Sequence, residues 1–593
     1  MKSVADYVAD FIAKKLGVKQ VFMVTGGGAM FLNDSIGRHK DIESIFTHHE
    51  QAAAMAALGF AKYTNTIGVV CVTTGCGGTN ALTGVLDAYQ DNTPLFVISG
   101  QVKTKEASCL SPAPLRQFGV QEADIVSIVK PITKYALTIT DPKQIAYHLE
   151  EAYFVSKSGR PGPVWIDIPM DIQSAIIDES SLKHFDYIDE KCALCIDKIL
   201  EQLAHAKRPI IIAGNGIRLS NSVVAFKEFV QRFNVPVVTS FLGIDLLPHD
   251  EPHFIGRIGI KGDRAGNFAL QNADFVLVLG CRLSVAATGF EYGSFAREAK
   301  VVVIDIDSNE HKKNTIAIDE FIQMDLCDFF SKCKEIGTQP NDFAKWLELC
   351  NKWKKKWTPF LPRYSNEPFI NKYTFIEHLC KKLRKDSVIV SDAGSAYYVA
   401  SQALFLTRDN RYITSGAQAD MGFSLPACIG VCFGKQRQEV IGITGDGSLQ
   451  MNIQELQTMV HYQLPIKLFV WNNNGYLSIR ATQDKFFAGV HIGTDVDSGI
   501  SFPILEKIAY AYGIEFFKVD SVQSLSQTLD KVFAIDKPVI CEIICPQNQE
   551  IIPNVSSLKL DDGTMISKPL EDMYPYLDRE EFYQEMIIKP MDT

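Results

Sequence analysis

Gly445–Asn473 reads GDGSLQMNIQELQTMVHYQLPIKLFVWNN, an aspartate in a glycine turn followed by a helical stretch, an apolar run and a pair of amides. The preceding EVIGIT, residues 439–444, has the β-branched, apolar character of a buried strand, which Gly445-Asp446-Gly447 breaks. Ser448 is expected to cap a helix over Asn452–His461. Backbone N–H groups at such a helix start favour anions. Ile466–Trp471 then reads as a second strand that delivers Asn472-Asn473 to the same sheet edge, where ligands of parallel sheets bind. The Asp446 carboxylate, the Asn473 amide oxygen and a main-chain carbonyl at Gly475 are hard oxygen ligands. Such a set suits octahedral Mg²⁺ completed by diphosphate oxygens and water.

Apolar strand runs alternate with helical stretches along the whole chain, the pattern of parallel α/β sheets. The first unit, 1–182, holds VFMVTGGGA, SIFTHHE, GVVCVTT, LFVISG and VWIDIP. The second, 192–335, holds PIIIAGNG, PVVTS, FVLVLG and KVVVIDID, and the third, 368–550, holds VIVSDAG, EVIGITGDG, IKLFVWNN and VICEII. Three doubly wound parallel-sheet domains are therefore expected, with residues 551–593 as a C-terminal arm or lid. A length of 593 residues also exceeds one ordinary core.

Composition excludes several function classes. The 46% apolar and 22% charged fractions are those of a soluble globular chain. A formal charge of −10 argues against nucleic acid as a partner, and the short Lys352–Lys356 run reads as a solvated helix face. No apolar run reaches membrane-spanning length. The start, SVADYVADFIAKKLGV, reads as an amphipathic helix rather than a cleavable signal. Fourteen cysteines without framework spacing suggest free, mostly buried thiols in a reducing cytoplasm, with Cys192 and Cys195 structural.

GDG, about two dozen residues and then NN resembles the signature of thiamine-diphosphate enzymes. HHEQAAAMAALGFAKYT (48–64), TTGCGGTNALTGVLDAYQDNTPLFVISGQ (73–101), GRPGPVWIDIP (159–169) and TSGAQADMGFSLPACIG (414–430) resemble the acetolactate-synthase branch of that family, in the family's order. The resemblance covers roughly residues 1–550. It implies thiamine diphosphate and Mg²⁺ as cofactors. It also implies a pyrimidine-binding, a central and a diphosphate-binding domain, with the first and third meeting across the interface of a homodimer or homotetramer.

The same resemblance assigns roles. Glu50 would hydrogen-bond the pyrimidine N1′ and favour the imino tautomer that takes the thiazolium proton. From its place alone, Glu50 is equally an acid at a helix N-terminus. Ala419 would offer its carbonyl to the 4′ amino group and Met421 would prop the bent cofactor, although a methionine there is also ordinary core filling. Gly394 and Ser395 would touch the diphosphate, where small residues allow close approach. Gly28, Gly445, Gly447, Ser448 and Tyr476 join the implied cofactor set, and Gln121 is an implied hydrogen-bond donor to the reacting intermediate.

Three departures from acetolactate synthase lie where a second substrate would enter. The family's Lys-Asp-(Val/Ile)-Gln becomes Met170-Asp171-Ile172-Gln173, losing a cation. Its Phe-Gln-Glu becomes Val120-Gln121-Glu122, and its acceptor-selecting tryptophan falls on Thr482 when counted back from Asp484-Lys485-Phe486-Phe487. A wider, less cationic acceptor pocket is expected. The implied activity is decarboxylation of a 2-keto acid, pyruvate above all, with transfer of the acyl-anion unit to a larger carbonyl acceptor such as a nucleotide-linked keto-sugar. Acetolactate synthase proper, a non-ligating decarboxylase or carbon–carbon hydrolase, and a non-catalytic scaffold are the alternatives.

Bound FAD is supported and opposed in equal measure. Gly214-Asn-Gly216, Gly280-Cys-Arg282 and Asp305-Ile-Asp307 resemble parts of the family's flavin site. Against it, Leu-Ser-Val-Ala-Ala follows Arg282 where the family carries Phe-Asp-Asp-Arg.

Overall fold

The computed structural model describes residues 1–187, 196–337, 341–407, 409–559 and 562–591. Cys192 and Cys195 lie outside the described residues.

Three six-stranded sheets, each wholly parallel, follow one another along the chain. The first contains β1 (Gln20–Met23), β2 (Glu43–Phe46), β3 (Gly68–Val72), β4 (Leu95–Gln101), β5 (Tyr135–Thr138) and β6 (Pro163–Pro169), in the order β2-β1-β3-β4-β6-β5. The second contains β7 (Pro209–Ala213), β8 (Val237–Thr239), β9 (Phe254–Arg257), β10 (Phe275–Leu279), β11 (Lys300–Asp305) and β12 (Glu320–Gln323), in the order β9-β8-β7-β10-β11-β12. The third contains β13 (Val388–Ser391), β14 (Arg411–Ile413), β15 (Val440–Gly445), β16 (Ile466–Asn472), β17 (Glu515–Val519) and β18 (Val539–Ile544). Its order, β14-β13-β15-β16-β18-β17, repeats that of the first sheet. Every residue of β3, β4 and β6 is buried, as expected for parallel strands covered on both faces.

The first and third units share one continuous core. Helix α1 (Glu50–Thr64) lies against helix α2 (Ser424–Gly434), and glycines make the approach close. A methyl group on Gly59 would strike the Ala427 carbonyl, and one on Gly430 would strike that of Ala56. The alanine-rich sequence of α1 thus serves helix packing at short range rather than propensity alone.

Residues after 550 pack on the second unit. Val555, Leu570, Met573, Phe582 and Met586 are buried in the same cluster as Phe268, Trp346 and Trp353. Arg264 donates to the carbonyls of Met573 and Pro575, at 3.2 and 2.5 Å. The Lys352–Lys356 run is exposed at Lys352, Lys355 and Lys356, as expected of a solvated face, but not at Lys354. Lys354 donates to the His249 and Phe254 carbonyls, and Lys356 pairs with Glu581 and Glu585 of the helix Arg579–Glu585. The acidic tail supplies the counter-charges that the expectation left out.

Eight of the twelve described cysteines are buried, and all twelve are free. Among the described residues no helix is long and apolar enough to cross a membrane.

Candidate active site

The carboxyl edge of the third sheet gathers four loops at its switch point, between β13 and β15. Gly445 is extended at φ −99° and ψ 162°, and a short helical turn begins at Asp446. Asp446 Oδ1 accepts the Gly447 N–H at 2.8 Å, and Oδ2 accepts that of Gly475 at 3.1 Å. Asn473 Nδ2 donates to the Gly475 carbonyl at 2.6 Å. The three groups read as oxygen ligands are therefore neighbours. Burial pushes the Asp446 carboxyl up, against the backbone donors of Gly475 and Gly447, which hold it down. An acidic group nearly out of water, without a paired cation, fits a divalent metal as its missing counter-charge. Among the described residues no group of three His, Cys, Asp or Glu side chains is placed to hold a metal ion, so a metal here depends on the amide and the carbonyl as well.

Ser448 does not cap a helix, contrary to expectation: it lies inside the turn Asp446–Leu449. A second turn, Gln450–Asn452, separates it from the helix Glu455–His461. The chain turns helical at Asp446, six residues before the expected Asn452, and the Asp446 carboxylate serves the free N–H of Gly447 there.

The loop after Asn472 is fixed by side chains that the sequence did not mark. Arg480, 1% exposed, donates to the carbonyls of Asn473 and Asn474, each at 3.1 Å, and to that of Gln547 at 2.7 Å. Gly475 has φ +146°, and a methyl group there would run into the Thr494 carbonyl and the Arg480 guanidinium. Gly447 is held bare by the Tyr476 ring. Gly394, at φ +62°, heads the helix Ser395–Ala403, and a methyl group there would just touch the Ser478 hydroxyl at 3.5 Å.

Asp392, the end of VIVSD, is a second missed residue. It is 2% exposed and accepts from Ala393 N, Gly422 N, Ser424 N and Thr444 Oγ1. It thereby ties the loop bearing Ala419 and Met421 to the ends of β13 and β15. Ala419 takes φ +54°, which turns its carbonyl out of any regular ladder, and Met421 is half-buried rather than sealed in the core.

The first unit carries the other set. Glu50, 8% exposed, opens α1 and accepts a hydrogen bond from Asn80 Nδ2 at 3.0 Å. Its other oxygen faces Gly77, where an added methyl would touch it at 3.4 Å. Gly75, at φ +64°, presses on the Gln121 carbonyl, so Gln121 stands close to the same turn, at φ +60° and exposed. Glu122 staples this loop by accepting the N–H groups of Ser108 and Phe118. Gly28 approaches Gly100 closely, and its carbonyl accepts from Gln173 at 2.8 Å. No hydrogen bond or ion pair joins Glu50 to Asp446, Asn473 or Gly475 within the chain.

The three acceptor-side residues are spread over two units. Val120 is 81% exposed on the Glu122-stapled loop. Met170 is half-buried at the head of the short helix Met170–Gln173, whose Asp171 accepts from Thr104 at 2.5 Å and so anchors the base of that loop. Thr482 is exposed on the helix Leu477–Phe486, and its hydroxyl donates to the Ser478 carbonyl.

In the second sheet, the motifs compared with a flavin site line one cleft of about 130 Å³ at the β7/β10 switch point. Asn215, Gly216, Gly280, Arg282, Asp305 and Asp307 surround it. Arg160 of the first unit crosses its mouth to Asp307 and Glu310, at 3.2 and 2.7 Å.

Three parallel-sheet domains, a metal-fitting oxygen cluster at one sheet edge and a buried glutamate at a helix start in another domain define a cofactor-dependent α/β enzyme. Family models agree with the architecture. The N-terminal TPP binding domain of thiamine pyrophosphate enzymes matches residues 2–128, the central domain 196–332 and the C-terminal TPP binding domain 392–543. The chain is 34% identical over 547 residues to an acetolactate synthase large subunit of Lactococcus lactis, covering 91% of this chain and 92% of that protein. The Haemophilus influenzae acetolactate synthase large subunit is 30% identical over 573 residues, covering 94% and 97%. The Escherichia coli acetolactate synthase isozyme 3 large subunit is 32% identical over 545 residues, covering 88% and 92%. The chain belongs to the thiamine-diphosphate-dependent enzymes, in their acetolactate synthase-like branch, and is a carbon–carbon lyase or transferase.

Proposed function

We propose that the enzyme decarboxylates pyruvate or a close relative and joins the two-carbon unit to a carbonyl acceptor larger than a 2-keto acid, a nucleotide-linked keto-sugar being the favoured class. The carrying observation is the exposure of Val120 and Thr482, small side chains on the side where acetolactate synthases present bulky ones. Bound thiamine diphosphate supplies a nucleophilic carbon that stores the electron pair left when carbon dioxide departs. The chain's residues do the rest. Asp446, Asn473 and the Gly475 carbonyl hold Mg²⁺ and through it the diphosphate. The backbone N–H of Ser448, with the small residues Gly394-Ser395, would receive phosphate oxygens. Ala419 and Met421 orient the pyrimidine end. Glu50, kept in place by Asn80, holds a proton at the pyrimidine ring. Gln121 donates toward the reacting group from the stapled loop.

From the family membership, we place the complete site between two copies, in a homodimer or homotetramer, with Glu50 of one copy facing the Asp446 cluster of the other. The free, buried thiols support a cytoplasmic location. The cleft of the second sheet is where FAD would sit if the enzyme binds it: Asp305 and Asp307 suit ribose hydroxyls, although Arg160 already engages Asp307. Purified protein that shows no oxidised-flavin absorption removes this assignment.

A second reading, acetolactate synthase proper, is favoured by the names of the relatives. Incubation of the purified enzyme with pyruvate alone separates the two. Slow acetolactate formation, accelerated carbon dioxide release when a keto-sugar nucleotide is added, and a branched product support the proposal; rapid acetolactate formation without another acceptor defeats it.

A further inference from the structure

A buried acid cluster with too few donors underlies the loop Thr414–Phe423. Lys62 of α1 donates to Asp91 Oδ2 at 2.6 Å and to the Thr414 carbonyl at 2.8 Å, and stands 3.7 Å from Asp87 Oδ1. Asp91 also accepts the N–H groups of Gly416 and Ala417, at 2.7 and 2.8 Å. Asp420, from the loop itself, takes the Gln418 amide on Oδ1. Asp87 is 0% exposed, Asp91 1% and Asp420 7%. Both oxygens of Asp87 and Oδ2 of Asp420 are buried without a hydrogen-bond donor.

Three carboxyls and one ammonium cannot all be ionised here, since isolated buried charge is costly and neutralises instead. Lys62 and Asp91 form the ion pair, which leaves both oxygens of Asp87 and Oδ2 of Asp420 without a donor. One proton between them supplies it. We infer that Asp87 and Asp420 are positioning residues that share this proton, and that the shared proton locks the loop carrying Ala419 and Met421 onto the first domain. Gly416 and Ala417 are the loop's other anchors, and Tyr397 Oη reaches the Gly416 carbonyl at 3.3 Å. Lys62, Asp91 and Tyr397 are the further titratable groups facing the pair from α1, the end of the helix Leu82–Gln90 and the helix Ser395–Ala403. Burial raises both Asp87 and Asp420, whereas Lys62 holds Asp91 down.

The importance of this loop to the cofactor rests on the proposed roles of Ala419 and Met421; the lock itself does not. Both are tested on the whole chain. First, the cofactor-free protein is followed by hydrogen exchange at the Gly416 and Ala417 amides over the whole pH range in which it stays folded. The lock predicts that protection falls at least tenfold more than intrinsic exchange explains as the pair loses its proton. D420N and D87N, which keep shape but remove the second negative charge, should flatten that pH dependence. Wild-type protection that tracks intrinsic exchange across the range overturns the inference, whether or not either variant folds. Second, the thiamine diphosphate activation constant of D420N is measured against pH. A flattened profile at unchanged saturating kcat carries the lock through to the cofactor. An exchange change with a wild-type activation profile overturns the placement of Ala419 and Met421 at the cofactor, and with it that half of the inference.

Discussion

Gly475→Ala tests the oxygen cluster without altering any side chain that belongs to it. At φ +146° an alanine is strained, at a cost of about 1–3 kcal/mol. Its methyl group would also meet the Thr494 carbonyl and the Arg480 guanidinium, neither of which has freedom to retreat. Thr494 O already accepts the Tyr476 N–H at 2.8 Å, and Arg480 is spent on Asn473, Asn474 and Gln547. Relief requires the Gly475 peptide to swing, breaking its bond to Asp446, worth roughly 1 kcal/mol. If the loop pays this together with the strain, affinity for the Mg²⁺–thiamine diphosphate pair falls by about 2–4 kcal/mol, or roughly 30- to 1,000-fold. The assay is the cofactor activation constant at fixed Mg²⁺, with thermal unfolding to confirm the fold. Gly513→Ala is the control, at φ +68° with open space around it. It should cost about 1 kcal/mol of stability and leave cofactor affinity alone. Wild-type affinity in Gly475→Ala would refute the proposed use of this carbonyl.

Glu50→Gln keeps the Asn80 contact but removes the carboxylate, and kcat should fall by about 10²- to 10⁴-fold with cofactor binding nearly unchanged, read by steady-state kinetics beside a binding titration. Thr482→Trp, on an exposed helix position, should change stability by less than about 0.5 kcal/mol yet shift products toward acetolactate, measured by product ratio with both acceptors present. Asp167 is pushed up to about 7 by burial, despite donors from Ser99, Thr138 and Gln101. Its folded value exceeds its unfolded one, so the native state holds the extra proton, and stability declines as pH rises from about 4 through about 7. Asp167→Asn should flatten that slope, by on the order of 4 kcal/mol at most, in urea titrations at a series of pH values.

Much of this architecture is legible in the sequence because it rests on local signals. Buried parallel strands appear as unbroken β-branched runs, and glycines punctuate their carboxyl ends, as at Gly445 and Gly475. The placement of Asp446 and Asn473 is legible for the same reason: each directly follows a strand end. What escaped notice depends on distant partners. Nothing near Asn80 marks it as a support for Glu50, and the donors to Asp392 come from three separate loops. Arg480 looks like one more helical cation until its three carbonyls are seen. Ser448 misled because serine is a favoured cap, whereas the Asp446 side chain had already claimed that task. The lysine run 352–356 looked wholly solvated because its acidic partners lie far along the chain, in the closing helix.

The central claim is that Asp446, Asn473 and the Gly475 carbonyl hold a divalent cation that carries the cofactor's diphosphate. Calorimetric titration of metal-stripped protein with thiamine diphosphate, with and without Mg²⁺, addresses it directly. The account predicts binding that needs the metal and weakens at least a hundredfold in Asp446→Ala; metal-independent uptake, equal in that variant, would contradict it.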